Sequence, residues 1–133
     1  MALLDAVGSI LQTGSIGTLA TNLFLSQMPD SPDACVVALE MQGASPDLTF
    51  GAGVTAIDKA RVRLVARGAQ NDYVAAKTKI EAARAVLGAV SNQTLEGVTI
   101  LRVLDTTGTY PLNWDGEERV LMGCDFAFWV VGP

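Results

Sequence analysis

The sequence predicts an α+β fold, a mainly antiparallel β-sheet with helices packed on one face. Three observations carry that prediction. The closing run Val120–Val130 alternates strictly, with Val120, Met122, Cys124, Phe126, Phe128 and Val130 on one face and Leu121, Gly123, Asp125, Ala127 and Trp129 on the other. A helical stripe spans Asp72 to Leu87. Between these segments the connections are rich in turn residues and do not follow strict βαβ alternation. A chain of 133 residues suits one domain with its own core. It divides into an N-terminal helical segment over 1–26 and a sheet-and-helix core over 34–131.

The elements follow in order. Leu3, Leu4, Val7, Ile10 and Leu11 form one apolar stripe of a short helix, with Asp5 in its first turn and Gly14 at its end. Ile16, Leu19, Leu23 and Phe24 predict a second short helix, which the Met28–Asp33 stretch stops with two prolines. Ala34–Met41 reads as a strand, with Cys35, Val37, Leu39 and Met41 on one face. Gln42–Thr55 reads as a long loop, because Gly43, Pro46, Gly51 and Gly53 punctuate it. Arg61–Arg67 alternates, with Val62, Leu64 and Ala66 opposite Arg61, Arg63, Val65 and Arg67.

Asn71 is placed to cap the next helix, whose buried face is Tyr73, Ala76, Ile80, Ala83 and Leu87, with Gly88 closing it. Gln93–Thr106 is a further strand region that Gly97 splits into hairpin arms, with Val98, Ile100 and Leu104 on one face. A connection over Thr107–Glu118 carries Pro111 and the Asp115-Gly116 turn and leads to the closing strand.

Composition narrows the function. Half the residues are hydrophobic and 17% are charged, an apolar content that points to subunit contacts. The net charge is −5, which disfavours non-specific binding to nucleic acid. There is no histidine, so the commonest general base and metal ligand are missing. Gly51-Ala52-Gly53 opens like a dinucleotide-binding loop, but position 56 is Ala and no predicted strand feeds it. No catalytic motif, cofactor site or metal site is expected, and the chain is not expected to be an enzyme. The acidic turns at Asp30 and Asp33 and at Asp115, Glu117 and Glu118 lack the ordered ligand spacing of a calcium loop. The N-terminus lacks a basic region before its apolar run, and no run is long enough to cross a membrane, so a soluble protein made in the cytoplasm is expected.

Five residues stand out as candidates for a subunit or partner interface. Arg61, Arg63 and Arg67 form a positive row on an acidic chain, either a solvated face or one that salt-bridges acidic loops of a neighbouring subunit, with nucleic-acid contact, which the net charge opposes, as a third reading. On the second reading, Arg63→Glu leaves the subunit folded and weakens assembly. Trp129 faces away from the core set of the last strand and is either covered by a helix or placed in an interface. Trp114 lies among Tyr110, Pro111 and Leu112 in a loop that either docks a partner or forms a local apolar cluster. Cys35 and Cys124 sit within strands and read as small core residues, the alternative being a bridge between adjacent strands.

Several of these segments together resemble a known family. Pro32-Asp33-Ala34-Cys35-Val36-Val37-Ala38-Leu39-Glu40 resembles the opening strand of phage minor capsid proteins of the tail-terminator type. The likeness continues through the strand at Ala60–Arg67, the helix from Asp72-Tyr73 to Gly88, the Thr94–Leu101 stretch and the long closing strand. It covers the chain from about residue 20 onward and rests on apolar and turn patterns. The resemblance implies a structural virion protein, assembled in the host cytoplasm, that forms a homo-oligomeric ring, commonly a hexamer. Such a ring caps the tail tube, joins the tail to the head connector or stopper protein, and lets DNA pass its channel without tight binding. The N-terminal helix has no residue-by-residue match. The alternative is a small cytoplasmic α+β module that binds a ligand or a partner.

Overall fold

The computed structural model describes residues 2–29, 34–48, 56–70, 72–95, 97–112 and 119–131. Outside them fall the Asp30–Asp33 turn, Gly51 and Gly53, Asn71, Trp114, the Asp115-Gly116 turn, and Glu117 and Glu118.

The chain runs through α1 (Ala2–Thr13), β1 (Leu23–Leu25), β2 (Cys35–Leu48), β3 (Ala56–Gln70), α2 (Tyr73–Gly88), β4 (Ser91–Leu95), β5 (Val98–Asp105), β6 (Tyr110–Pro111) and β7 (Arg119–Val131). Among the described residues these strands form one seven-stranded sheet in the order β1-β2-β3-β7-β5-β4. All pairings are antiparallel except β1 with β2. Along one edge β7 pairs with β5 over its C-terminal half and with β6 at Gly123 and Met122. The fold is α+β, as the alternation of the closing run implies.

Both helices lie on one face of the sheet. The α1 stripe Leu3, Leu4, Val7, Ile10 and Leu11 is buried, as are Ala76, Ile80, Ala83 and Leu87 of α2. They pack on Val36, Ala38, Val62, Leu64 and Ala66 and on the even-numbered residues Val120–Val130 of β7. Phe126 and Phe128 meet edge to face at 6.5 Å in the middle of this core. Gly14 lets the end of α1 approach α2, since a Cβ there would lie 2.8 Å from Val86 Cγ1. The left-handed turn that ends α1 falls one residue later, at Ser15 (φ 63°).

Five expectations change. The predicted second helix is instead a turn leading into β1. Positive φ at Ser15 and Ala20 breaks helical continuation, and Thr18 O accepts from Asn22 N and Leu23 N. Leu23 and Leu25 also fit a period of two, and pairing with β2 decides between the periods. The Gln42–Thr55 loop is strand as far as Leu48, because two register shifts beyond Met41 absorb Gly43 and Pro46. Asp72 is the N-cap of α2 and accepts from Ala75 N at 3.1 Å, while Gly88 is the last helical residue before the cap Ala89. Tyr73 lies in the first helical turn and is 46% exposed, with Lys77 Nζ 5.7 Å from its ring centre. In β5 a register shift between Ile100 and Arg102 turns Val103, not Leu104, onto the core face.

The two cysteines are free and buried. Cys124 belongs to the core cluster on the helix side. Cys35 lies on β2, separated from β7 by β3, so the adjacent-strand bridge does not occur.

Candidate functional site

The second face of the sheet carries no helix among the described residues. Its rows follow from the register. Lys59, Trp129 and Arg102 are cross-strand partners in the first row; Met41, Arg61, Ala127 and Leu104 in the second; Leu39, Arg63 and Asp125 in the third. The fourth holds Val37, Val65, Gly123 and Tyr110, and the fifth Cys35, Arg67 and Leu121.

Asp125 is the centre of this face and only 4% exposed. Burying a carboxylate is costly unless its charge and its lone pairs are answered. Arg63 donates from Nε to Oδ1 at 2.8 Å and from Nη2 to Oδ2 at 3.3 Å, and Tyr110 Oη donates to Oδ1 at 2.8 Å. Arg61 Nη2 stands 3.9 Å from Oδ2. Burial alone pushes the Asp125 carboxyl up, but the Arg63 and Tyr110 hydrogen bonds and the two guanidinium charges reverse this and hold it below the usual value. Burial, then the hydrogen bond to the Asp125 carboxylate and its charge, raise the Tyr110 phenol to about 12. The main chain is tied as well, with Asp125 N donating to Thr107 Oγ1 at 3.0 Å and Thr106 N donating to Asp125 O at 3.0 Å.

Tyr110 reaches Asp125 because the intervening residue is glycine. A Cβ on Gly123 would lie 3.1 Å from Tyr110 Cζ and 3.1 Å from Leu112 Cδ1, so the phenol ring lies over bare backbone. Arg63 then caps that ring, with its guanidinium carbon 5.8 Å from the centroid. One buried Asp, one Arg and one Tyr thus form a closed set with a structural role.

The outer end of the face differs. Trp129 is half-buried between two cations, Lys59 Nζ at 5.5 Å and the Arg102 guanidinium carbon at 6.0 Å from the indole. No helix among the described residues covers it. The Arg61 side chain is 39% exposed and Arg102 is exposed. Arg67 keeps the face that the alternation suggested but is buried there. It is 5% exposed, and its Nη2 donates to Pro29 O at 2.7 Å. Arg63 is bound to Asp125 and Arg61 stands beside the same carboxylate, and both side chains stay partly exposed. Trp114 lies outside the described residues.

Sequence reasoning missed Lys59, Arg102, Tyr110 and Asp125. Lys59 has the parity of Arg61 and needed only a longer strand. Arg102 has the parity of the core residue Ile100 and reaches this face through the register shift. A second polar set joins α2 to the β5–β6 turn. Arg84 pairs with Asp105 and Glu81, and Asp105 accepts from Gly108 N at 2.7 Å. Burial raises the Asp105 carboxyl, and the Gly108 amide and Arg84 lower it by more.

The described residues hold no group of three or more Cys, Asp or Glu that could bind a metal ion. None of the described helices is long and apolar enough to cross a membrane. The polar clusters brace strands and turns; in one of them Cys124 Sγ donates to Asp105 Oδ1 at 3.5 Å, and burial with the Asp105 charge pushes that thiol up to about 12.

The family model for bacteriophage tail terminator proteins matches residues 10–131. The chain belongs to the bacteriophage tail terminator family. Among solved structures, the tail terminator chain is similar in fold to a chain of the virion of a native gene transfer agent particle. The TM-score is 0.63 at 15% identity, covering 98% of this chain and 96% of that one. No curated protein matches the sequence. The family match spans the end of α1, the whole of α2 and the whole sheet, so it identifies a structural phage tail protein, a component of the virion.

Proposed function

We propose that this tail terminator caps the end of the tail tube as a homo-oligomeric ring, commonly a hexamer in such proteins, and joins the tail to the head connector or stopper protein. The single observation that carries the reading is the family match over 10–131. The composition supports it, since the apolar share is high for a chain of this size and subunit contacts would absorb the surplus. Assembly takes place in the host cytoplasm, and DNA passes the channel without being gripped, in keeping with a net charge of −5.

Negative-stain microscopy of the purified chain, alone and with tail tube protein, tests the proposal. Rings with a central channel, and tubes that stop elongating once the chain is added, are the expected results. A chain that stays monomeric at high concentration and leaves tube growth unchanged overturns it.

A further inference from the structure

The edge of β7 that faces β5 changes partner part-way along. Asp105 pairs with Phe126, and Thr106 N donates to Asp125 O at 3.0 Å. Pairing then resumes with Tyr110 on Gly123, Pro111 on Met122, and Leu112 N donating to Leu121 O at 2.7 Å. Between the two stretches Thr107, Gly108 and Thr109 stand opposite Cys124 alone, so the strand bulges. The bulge turns at Gly108, which has a φ of 70° and open space where a Cβ would point.

The bulge is tied from both faces of the sheet. On the helix side Asp105 Oδ1 accepts from Gly108 N at 2.7 Å and from Thr107 N at 3.3 Å. Thr109 Oγ1 donates to Glu81 Oε1 at 2.6 Å, and Arg84 joins the two carboxylates. On the open side Tyr110 Oη donates to Asp125 Oδ1 at 2.8 Å, and Asp125 N donates to Thr107 Oγ1 at 3.0 Å. None of Thr106–Leu112 is buried, and the nearest core positions along the chain among the described residues are Val103 and Val120. Hydrogen bonds rather than apolar burial hold this segment, and segments of that kind open at lower cost than a core.

We propose that Thr106–Leu112 is a strap that unlatches from β7 as one unit, ahead of the rest of the sheet, and that the closed strap shields a β7 edge that other strands could join. Two catches hold it, Glu81 with Asp105 on the helix side and Asp125 on the open side. Unlatching strips Leu121 O, Asp125 O and Asp125 N of these partners together, and an edge bared in this way is a template for a strand of another chain. The strap is independent of the ring reading above, since every contact in it lies within one subunit.

The test is hydrogen exchange read by mass spectrometry on the full chain, with overlapping peptides over Thr106–Leu112 and over β3, in wild type, Tyr110→Phe and Glu81→Ala. In the wild type the strap amides should exchange together and faster than those of β3. Tyr110→Phe removes a hydrogen bond to a charged group and should speed the whole strap at least about tenfold while β3 stays as it was. Glu81→Ala opens the other catch and should speed the same amides, Leu112 included. On warming, Tyr110→Phe should scatter light at a temperature where the wild type is still clear.

Exchange that rises as much in β3 as in the strap means that the whole sheet has loosened. Exchange unchanged in Tyr110→Phe means that the phenol is no catch. Either result overturns the proposal, and so does a Glu81→Ala effect confined to Thr107–Thr109, which divides the strap in two. A Tyr110→Phe chain whose strap opens faster but which stays as clear as the wild type overturns the shielding role.

Discussion

Arg63→Glu tests the closed set around Asp125 most directly. The sequence alone treats Arg63 as a surface charge whose reversal disturbs assembly only. The structure redirects that expectation, because Arg63 holds a carboxylate that is 4% exposed. Hydrogen bonds to a charged group contribute about 1.5–3 kcal/mol, and removing one partner of a buried ion pair costs about 3–5 kcal/mol. The Arg63 side chain is 33% exposed, so solvent screens part of this, and the lower end of about 3 kcal/mol applies. The incoming carboxylate adds repulsion on top. Against a total of about 5–15 kcal/mol for a domain, that is a severe loss, worth about 10 °C or more in melting temperature.

The assay is urea unfolding of Arg63→Glu beside Arg61→Glu. Arg61 stands 3.9 Å from the same carboxylate without a hydrogen bond to it, so the difference between the two reversals isolates the Arg63 hydrogen bonds. The sign with pH follows from Asp125. Its wild-type carboxyl is depressed in the folded state, so its stabilisation is complete above the unfolded value of about 3.9 and is lost as pH falls through the folded one. In Arg63→Glu the neighbouring carboxylate raises that group instead, so acidification stabilises the variant. The gap to wild type should narrow as pH drops from about 7 toward about 4. Stability within about 0.5 kcal/mol of Arg61→Glu, or a gap that ignores pH, would refute the reasoning.

Three further outcomes are expected. Phe126→Ala should lower stability by about 3–5 kcal/mol in the same urea assay and reduce solubility, since the ring is buried against Phe128 in the central strand of the core. Gly123→Val should cost about 1–3 kcal/mol by overpacking and lift Tyr110 from Asp125. An ultraviolet pH titration, with Tyr110→Phe as reference, should then show the phenol returning from about 12 toward its ordinary value. Burial, aided by the charge and hydrogen bond of Asp105, lifts the Cys124 thiol to about 12, so a thiol reagent at about pH 8 should label it only as fast as the protein opens.

The parts of the fold that were legible in the sequence share one property, a single period sustained over many residues. β7 alternates for its whole length, and α2 keeps Ala76, Ile80, Ala83 and Leu87 in line, so neither needs a partner to be recognised. Leu23–Leu25 fits both periods, and only its parallel pairing with β2 makes it a strand. The site fails in the same way. Arg67 and Arg63 obey the alternation, but what each one touches, Pro29 O and Asp125, depends on segments 38 and 62 residues away. Arg102 is harder still, because a single register shift carries it from the core parity to the open face beside Trp129. A pattern of period two records which residues share a face. It does not record where the strand slips, and the two cations that flank Trp129 are brought together across one such slip.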